Sequence, residues 1–498
     1  MTSRPHICMA CTTGLLGATP TKRAALGVCV TASLMVLGCA TPDVDRQPST
    51  TAMRELVSVG IPTSGAPAEG ILPIHAQWWQ AYGDKTLNAL VDQATSHQPS
   101  LQVAHARVQR AQALMQMAES IDRPQVSIGF DATHQRYTQK GLVPPSVAGT
   151  VQDTGTLQIS GVWEFDFFGK NQSALRAALG QARAAQAEAA AAQVLLQTQV
   201  VRSYVRLTTL QSHMQWAQRT LQQRLELASL VRQRVQAGLD SDLELQQADS
   251  GPPEARTHIE SLREQIALTQ NALAALTGHP PGTQAPGLAA EPSTTLMRSL
   301  PVPRWVPSDW VARRPDLQAA RWRVEAALGE RDQARAQFYP TVNLVAFAGL
   351  SSIGLDRLLQ SGAVQWGLGP AVRLPWFDGG RLRAHLQSKQ SELEVAVQSY
   401  NATLVEALKD VLDPLATLRS LDAQQAQQQE SLGLAQKSYQ LVKQRQASGL
   451  ANTLQTLLAE TPVIQQHRLS IELQSRRLDT EVALIRALGG GYQQEIAP

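Results

Sequence analysis

The sequence predicts an α+β membrane protein built from two tandem repeats, each pairing two barrel-type strands with very long helices. Three observations predict it. Gly169 to Gly380 and Gly238 to Gly449 share one offset of 211 residues, which argues duplication. Each copy holds two segments of apolar–polar alternation, RPQVSIGF and WEFDFFGK in the first, YPTVNLVAF and LPWFDGGR in the second. Lys170 to Gly238 contains no proline, and Gly380 to Gly449 only Pro414. Each half supplies the same parts, and neither can close a structure alone.

The first 38 residues read as an export signal. Lys22-Arg23 is its positive start, and Ala24–Gly38 is a 15-residue apolar stretch, too short for a comfortable membrane span. Val36-Leu37-Gly38-Cys39 then matches a bacterial lipobox. In that reading Cys39 becomes the N-terminus, carrying a covalent diacylglycerol and an N-acyl chain, and no other cofactor is expected. Ala40 in the next position suits sorting to the outer membrane. Cys8, Cys11, Cys29 and Cys39 are the only cysteines, so the chain beyond them has no disulfide or thiol chemistry. Arg4, Lys22 and Arg23 lie in the leader with no acid, which takes the net charge of +3 to zero for the remainder. Nothing in that balance calls for nucleic acid.

Residues 40–70, rich in Pro, Thr, Ser, Gly and Ala, read as a flexible tether. Trp78–Thr95 and Leu101–Ser120 form an amphipathic helical pair that Pro124 ends. The strands follow. Val126, Ile128, Phe130 and Ala132 alternate with Ser127, Gly129, Asp131 and Thr133; Leu157 through Phe167 alternate likewise, broken only by Val162. The second copy gives Val342 through Leu350, then Val364 through Leu374, with Pro370 marking an irregularity. Alternation over about ten residues is the mark of strands spanning an outer membrane.

The proline-free stretch after Lys170 would extend roughly 100 Å as a helix. Leu221, Leu225, Ala228, Val231 and Val235 give it a coiled-coil stripe. Aromatics make up only 5% of the chain, which suits helices packed closely through small side chains. Gly238-Leu239 and Gly449-Leu450 stop the two long helices, and Leu243–Leu276 and Leu454–Leu488 return from them. Gly251-Pro252-Pro253 and Thr461-Pro462 are expected to kink or break the return helices. A Pro-rich stretch, His279–Pro307, links the copies, and Ser308-Asp309 caps a helix to Phe338 with RRPD (Arg313–Asp316) in its first turns.

Two strands per copy make four per chain. Four cannot close in lipid, because edge strands would carry unsatisfied backbone groups. The smallest membrane barrels need about eight strands, so two or more chains must combine. Walls continued by the helices would form a conduit, not a catalyst.

WWQAYGDKTLNALVDQA, WEFDFFGK, LTGHPP, VPSDWVARRPDLQAAR, FYPTVNL, LPWFDGGR and ALIRALGGGY, in this order, resemble the TolC-family outer membrane factors of the lipoprotein (NodT-like) branch across residues 39–492. The resemblance implies a homotrimer with a trimeric 12-stranded transmembrane β-barrel, four strands per chain, continued by a long α-helical periplasmic barrel. It implies these divisions: 1–38 lipoprotein signal peptide, 39–76 lipidated tether, 77–290 first efflux repeat, 291–492 second efflux repeat, 493–498 tail. The implied role is the outer-membrane channel of a tripartite efflux system in a Gram-negative bacterium. It is a passive conduit for small toxic compounds or drugs, with an exit duct for type I protein secretion as the alternative. Implied partners are a periplasmic adaptor, an inner-membrane pump of the major-facilitator or resistance-nodulation-division type, and outer-membrane lipids. GLANTLQTLLAETPVIQQ looks closer to members that serve major-facilitator pumps.

By the same resemblance the adaptor docks on the helix–turn tips, at Arg234, Gly238 and Leu239 and at Arg445, Gly449 and Leu450. The residues themselves also suit a plain C-cap and a dipole-complementing cation. The gate departs from the family. Where relatives carry acidic rings this chain has Gln455 and Leu458, the nearest acid being Glu460; the Tyr–Arg lock is replaced by Gln446 and Ala451. The expectation is a constriction of mixed polar and apolar character. An enzyme is not expected: ten scattered histidines form no HExxH, and no nucleophile elbow or phosphate-cradling loop is present. Glu164 and Asp166 invite a carboxylate-pair reading, but charge facing a lumen is the commoner explanation. No metal site is expected.

Overall fold

The computed structural model describes residues 75–282, 299–300 and 311–492. The export signal with Cys39, the tether, most of the Pro-rich linker, the Ser308-Asp309 cap and the C-terminal tail lie outside them. The chain divides into two compact units, a sheet unit of residues 121–173 and 330–390 and a helical unit holding the rest.

In the sheet unit the alternating segments form β1 (Gln125–Arg136), β2 (Val151–Phe165), β3 (Thr341–Ile353) and β4 (Val364–Arg373). They pair antiparallel in the order β1-β2-β3-β4, so both copies contribute to one sheet. The register sorts side chains onto two chemically distinct faces. On one, Val126–Gly161–Ala346–Leu368, Ile128–Ile159–Ala348–Trp366 and Phe130–Leu157–Leu350–Val364 stand in rows, with Trp163–Leu344–Pro370 and Phe165–Val342–Val372 beyond. Every residue of those five rows is apolar or glycine. The opposite face carries Gln158, Ser160, Thr156, Ser351 and Gln365. There Gln365 donates to Gln158 Oε1 at 3.1 Å, and Thr156 and Ser351 share a hydrogen bond of 3.2 Å. Phe347 also lies on this face, its ring filling the space over Gly367, where an added Cβ would stand 2.5 Å from the ring. Val162, which interrupts the alternation, points to the polar face. Pro370 does not interrupt β4: it pairs with Leu344 within the strand, and β4 is an outer strand of this sheet, where proline is tolerated.

In the helical unit Asp84 accepts from Thr86 N and Leu87 N at 2.8 and 3.1 Å and starts α1 (Lys85–His97); α2 (Pro99–Ser120) follows. The long helices are α3 (Lys170–Gln236) and α6 (Arg381–Ala447), each of 67 residues, about 100 Å at 1.5 Å per residue. The return helices are α4 (Asp242–Leu276) and α7 (Thr453–Ala487), each of 35 residues. All four boundaries of the first pair map onto the second by the same 211-residue offset.

The principal core joins Trp78, Trp79, Leu87, Leu90 and Val91 to Val200, Val201 and Tyr204 of α3, Leu273 of α4 and Leu478 and Val482 of α7. Elsewhere small side chains set the packing. Ala177, Ala182, Ala184 and Ala187 are buried, and a Cβ on Gly180 would lie 2.8 Å from the Ala326 amide of α5 (Pro315–Ala336).

Three expectations need correction. The helix foreseen from Ser308 to Phe338 is interrupted by a turn at 312–313, and α5 begins at Pro315, where a missing N–H costs nothing. The prolines at 252, 253 and 462 lie inside α4 and α7 without breaking them. Gly251 and Pro252 are buried, Gly251 against Arg224 of α3, so packing holds the backbone where local preference would end it. Leu225 of the expected stripe is 44% exposed, whereas Ala228 and Val231 are buried.

Candidate functional site

Each long helix stops in the same local structure, built by its own sequence. Gly238 adopts φ 71°, and Leu239 N donates to Arg234 O at 2.8 Å while Gly238 N donates to Val235 O at 2.9 Å. Gly449 also adopts φ 71°, with Leu450 N bonded to Arg445 O at 2.8 Å and Gly449 N to Gln446 O at 3.0 Å. A left-handed residue closing two orphan carbonyls is the Schellman stop, and glycine adopts it without a Cβ penalty. Nothing stands within 4 Å of the Cβ position at either glycine, so both tips are open. Leu239 and Leu450 are 66% and 70% exposed.

The helices that leave the tips are capped reciprocally. Glu244 accepts from Ser241 N at 3.0 Å; Asn452 Oδ1 accepts from Gln455 N at 2.9 Å while Gln455 Oε1 accepts from Asn452 N at 3.2 Å. Gln455, expected at a gate, is therefore engaged in a capping box. Leu458 is 54% exposed, and Glu460 is buried. Gln446 spans the second tip, donating to Thr453 Oγ1 at 3.1 Å and accepting from Thr456 Oγ1 at 2.9 Å.

The tips differ in charge. Arg234 is clamped by Asp240 through two bonds of 2.7 and 2.8 Å, which hold the carboxyl below the usual aspartate range. The residue matching Asp240 in the second copy is Ala451, and Arg445 is exposed with no ion pair among the described residues.

Three polar clusters in the helical unit were not legible as such. Arg219 of α3 places Nε and Nη2 at 2.8 and 2.5 Å from Glu460 Oε1 of α7, and Gln223 donates to Leu457 O and Thr461 Oγ1 at 2.6 and 3.0 Å. Arg314, in the conspicuous RRPD, is buried and bonded to Asp316 at 3.0 and 2.7 Å and to Asp410 of α6 at 3.0 Å. Burial pushes the Asp316 carboxyl up, but the Arg314 guanidinium outweighs it and holds the group below the ordinary range. Glu481 accepts from Ser299 Oγ at 2.5 Å, Leu300 N at 3.1 Å and Arg477 Nε at 3.1 Å; its burial raises it above the usual glutamate range despite them. Apart from the RRPD run and the Arg477–Glu481 pair four residues apart on α7, these contacts join residues 96 or more positions apart, which no local spacing signals.

The carboxylate-pair reading does not survive. Asp166 lies beyond the end of β2 and accepts from Gln172 N at 2.8 Å at the start of α3, whereas Glu164 pairs with Lys170 at 2.6 Å. Among the described residues no helix is long and apolar enough to cross a membrane, and no group of three acidic, histidine or cysteine side chains is placed to hold a metal.

The profile of the outer membrane efflux protein family matches residues 90–279 and 306–490. The chain belongs to that family. The multidrug resistance outer membrane protein MdtQ of Escherichia coli O157:H7 is 30% identical over 483 residues, covering 94% of this chain and 98% of its own. The fusaric acid resistance protein FusA of Burkholderia cepacia is 34% identical over 376 residues, covering 74% of this chain and 69% of its own. The crystal structure of the outer membrane protein VceC from Vibrio cholerae aligns with a TM-score of 0.76 at 34% identity, covering 84% of this chain and 99% of that one.

This member of the outer membrane efflux protein family is an outer-membrane efflux channel, with the fold class of the trimeric channels that join a β-barrel to a helical tunnel. The two faces of its sheet acquire their meaning from that location. The apolar face, nine residues along β3 from Val342 to Leu350, has the chemistry of a lipid-facing surface. Nine residues measure about 30 Å along a strand and, at the tilt of barrel strands, match a hydrophobic band about 25 Å tall. Trp376 and Phe377, 78% and 90% exposed beyond the end of β4, fit an interfacial aromatic girdle. The opposite face, with Gln158 and Gln365, is polar and hydrogen-bonded, as a water-facing surface requires.

Proposed function

We propose that the chain, as a homotrimer anchored through lipidated Cys39, is the exit duct of a tripartite pump that expels small toxic organic compounds. One observation carries this reading. The sheet has a lipid-compatible face and a hydrogen-bonded polar face, yet only four strands, with β1 and β4 at its outer edges. A membrane sheet must bond those edges, and a three-fold assembly supplies twelve strands, enough to leave an open lumen.

Energy must come from elsewhere, because the family is one of channels. An inner-membrane pump, of the major-facilitator or resistance-nodulation-division type, supplies it through a periplasmic adaptor. The adaptor meets Arg234, Gly238 and Leu239 at one tip and Arg445, Gly449 and Leu450 at the other. Support for docking there is local: both tips are open and display a leucine to solvent, although a plain helix stop needs no such exposure. Gln455 and Leu458 stand near the return from the second tip and form the constriction. The small-molecule reading is favoured over protein secretion by the names of the relatives, multidrug resistance for MdtQ and fusaric acid resistance for FusA. The domains follow the repeats, at 77–290 and 291–492, after a signal of 1–38 and a tether of 39–76.

The test is deletion and complementation in the native host, scored against a panel of toxic organic compounds and against the secreted proteome. Susceptibility restored by the intact gene supports the reading. Unchanged susceptibility with a lost secreted protein would replace it with the secretion duct. Labelling with palmitate, abolished by Cys39→Ala, tests the anchor.

A further inference from the structure

The connection between β3 and β4, residues 354–363, folds to one side of the sheet. Gly354 turns the chain with φ 96° and donates its N–H to Asp153 O at 2.6 Å; one tight helical turn, Leu355–Arg357, follows. Gly155 shows the direction. A Cβ there would stand 2.8 Å from Leu355 Cδ2 and 3.2 Å from Leu358 Cδ2, so both leucines lie over the face that Gly155 belongs to. By the register that is the apolar face: Ala132–Gly155–Ser352 is the next row beyond Phe130–Leu157–Leu350–Val364. Leu358 is 7% exposed in this seat, whereas Leu359 is 85% exposed.

The seat lies at a chemical boundary. One row farther, about 7 Å along the strands, His134 faces Asp153 with Nδ1 and Oδ1 2.7 Å apart. Arg136 follows on the same side of β1, and Asp356 and Arg357 stand exposed in the turn itself. The apolar rows thus give way to charge where Leu355, Leu358 and Leu359 gather. This is also the outer end of the sheet. The chain enters from α2 and α5 and leaves to α3 and α6 at the other end, and the helices of such a channel project into the periplasm.

Water, another polypeptide or the outer leaflet could cover Leu359. Continuity favours the leaflet, because the leucines extend the apolar wall without a break. Leucines set beside charged side chains are also the composition of segments that lie in a membrane interface.

We propose that Leu355–Leu359 is a wedge in the outer leaflet, seated on Gly155 by Leu358 and inserted among the acyl chains by Leu359, with Asp356 and Arg357 at headgroup level. The proposal rests on the reading that the apolar face meets lipid and adds a contact that the strands do not supply. Its consequence for transport is that this connection is held on the outside of the wall and does not lie across the mouth of the lumen.

The chain beyond Cys39 lacks cysteine, so single nitroxide labels can be placed through Leu359→Cys, Trp366→Cys and Gln365→Cys, with the unsubstituted protein as blank. In vesicles of phosphatidylethanolamine and phosphatidylglycerol, each label's collisions with oxygen, which concentrates in lipid, are compared with its collisions with a water-soluble nickel chelate. Trp366 on the apolar face and Gln365 on the polar face calibrate the two environments. The ratio of oxygen to chelate at 359 should exceed that at 365 several-fold. A ratio at 359 equal to that at 365, while 366 reports lipid, overturns the wedge and leaves the apolar face in lipid. Shielding of 359 from both reagents shows another polypeptide on Leu359 and overturns the wedge likewise. A chelate-dominated label at 366 overturns the reading beneath it. Gly155→Leu, which takes the space of Leu355 and Leu358, should lower the ratio at 359 several-fold, and a ratio it leaves unchanged overturns the seat.

Discussion

Arg219 and Glu460 are 241 residues apart in sequence, yet two guanidinium nitrogens of one reach a single carboxylate oxygen of the other, at 2.8 and 2.5 Å. This bond ties the first copy's long helix to the second copy's return helix, so it holds the duplication together as one wall. Glu460 is 7% exposed, whereas Arg219 keeps more than a third of its side chain in water. Arg219→Met should therefore cost about 1–3 kcal/mol, mainly by stranding the buried carboxylate. Adding Glu460→Leu should recover part of it, since a buried pair replaced by apolar groups is often neutral. Thermal inactivation rates of the detergent-extracted protein measure both. Equal losses in the single and double variants would show that the bond does not couple the two helices.

Two carboxylates of the helical unit, Asp316 and the buried Glu481, give opposite pH dependence. Asp316 is held below its ordinary value by Arg314, so its contribution is present above the usual aspartate range and is lost as pH falls through the lowered value. Glu481 is raised by burial, so stability is greatest with its proton on and declines as pH rises through the raised value. Asp316→Asn should flatten the acid limb of the stability profile, and Glu481→Gln the limb above the glutamate range. Unfolding rates across a pH series check both, and an unaltered profile in either variant refutes that assignment.

Neighbouring residues of β4 should respond in opposite ways because they occupy opposite faces. Trp366 stands in the apolar row with Ile128, Ile159 and Ala348, whereas Gln365 bonds to Gln158 on the polar face. Trp366→Arg places a charge in lipid and should cost about 2–4 kcal/mol if it lies near the midplane. Gln365→Arg should leave insertion intact and alter conductance. Heat modifiability on gels and single-channel recording separate the two, and equal tolerance of both substitutions would contradict the register.

Gly449 adopts a backbone conformation that a β-branched residue disfavours, by roughly 1–2 kcal/mol, in a turn with no neighbour to clash against. Gly449→Val should therefore abolish compound resistance while the trimer remains in the membrane. Resistance unchanged from wild type would remove the second tip from the docking surface.

Much of this architecture was legible because it is periodic or repeated. The strands declared themselves by alternation, and Gly238 and Gly449 by their place after long proline-free runs. Helix continuity through Pro252 and Pro253 was not legible, because the packing of Gly251 against Arg224 of α3 overrides a local breaker. Gln455, a gate residue in the sequence reading, also forms the capping box with Asn452, which the Asn-x-x-Gln spacing encodes. Pairs such as Arg219–Glu460 depend on which faces meet after folding. No local spacing encodes them.

The central claim is that one chain contributes a third of a closed wall. Native mass measurement of the protein extracted from outer membrane in mild detergent tests it most directly. Three copies per particle, rich in both sheet and helix, is the result this architecture requires. A stable particle containing a single chain would contradict it.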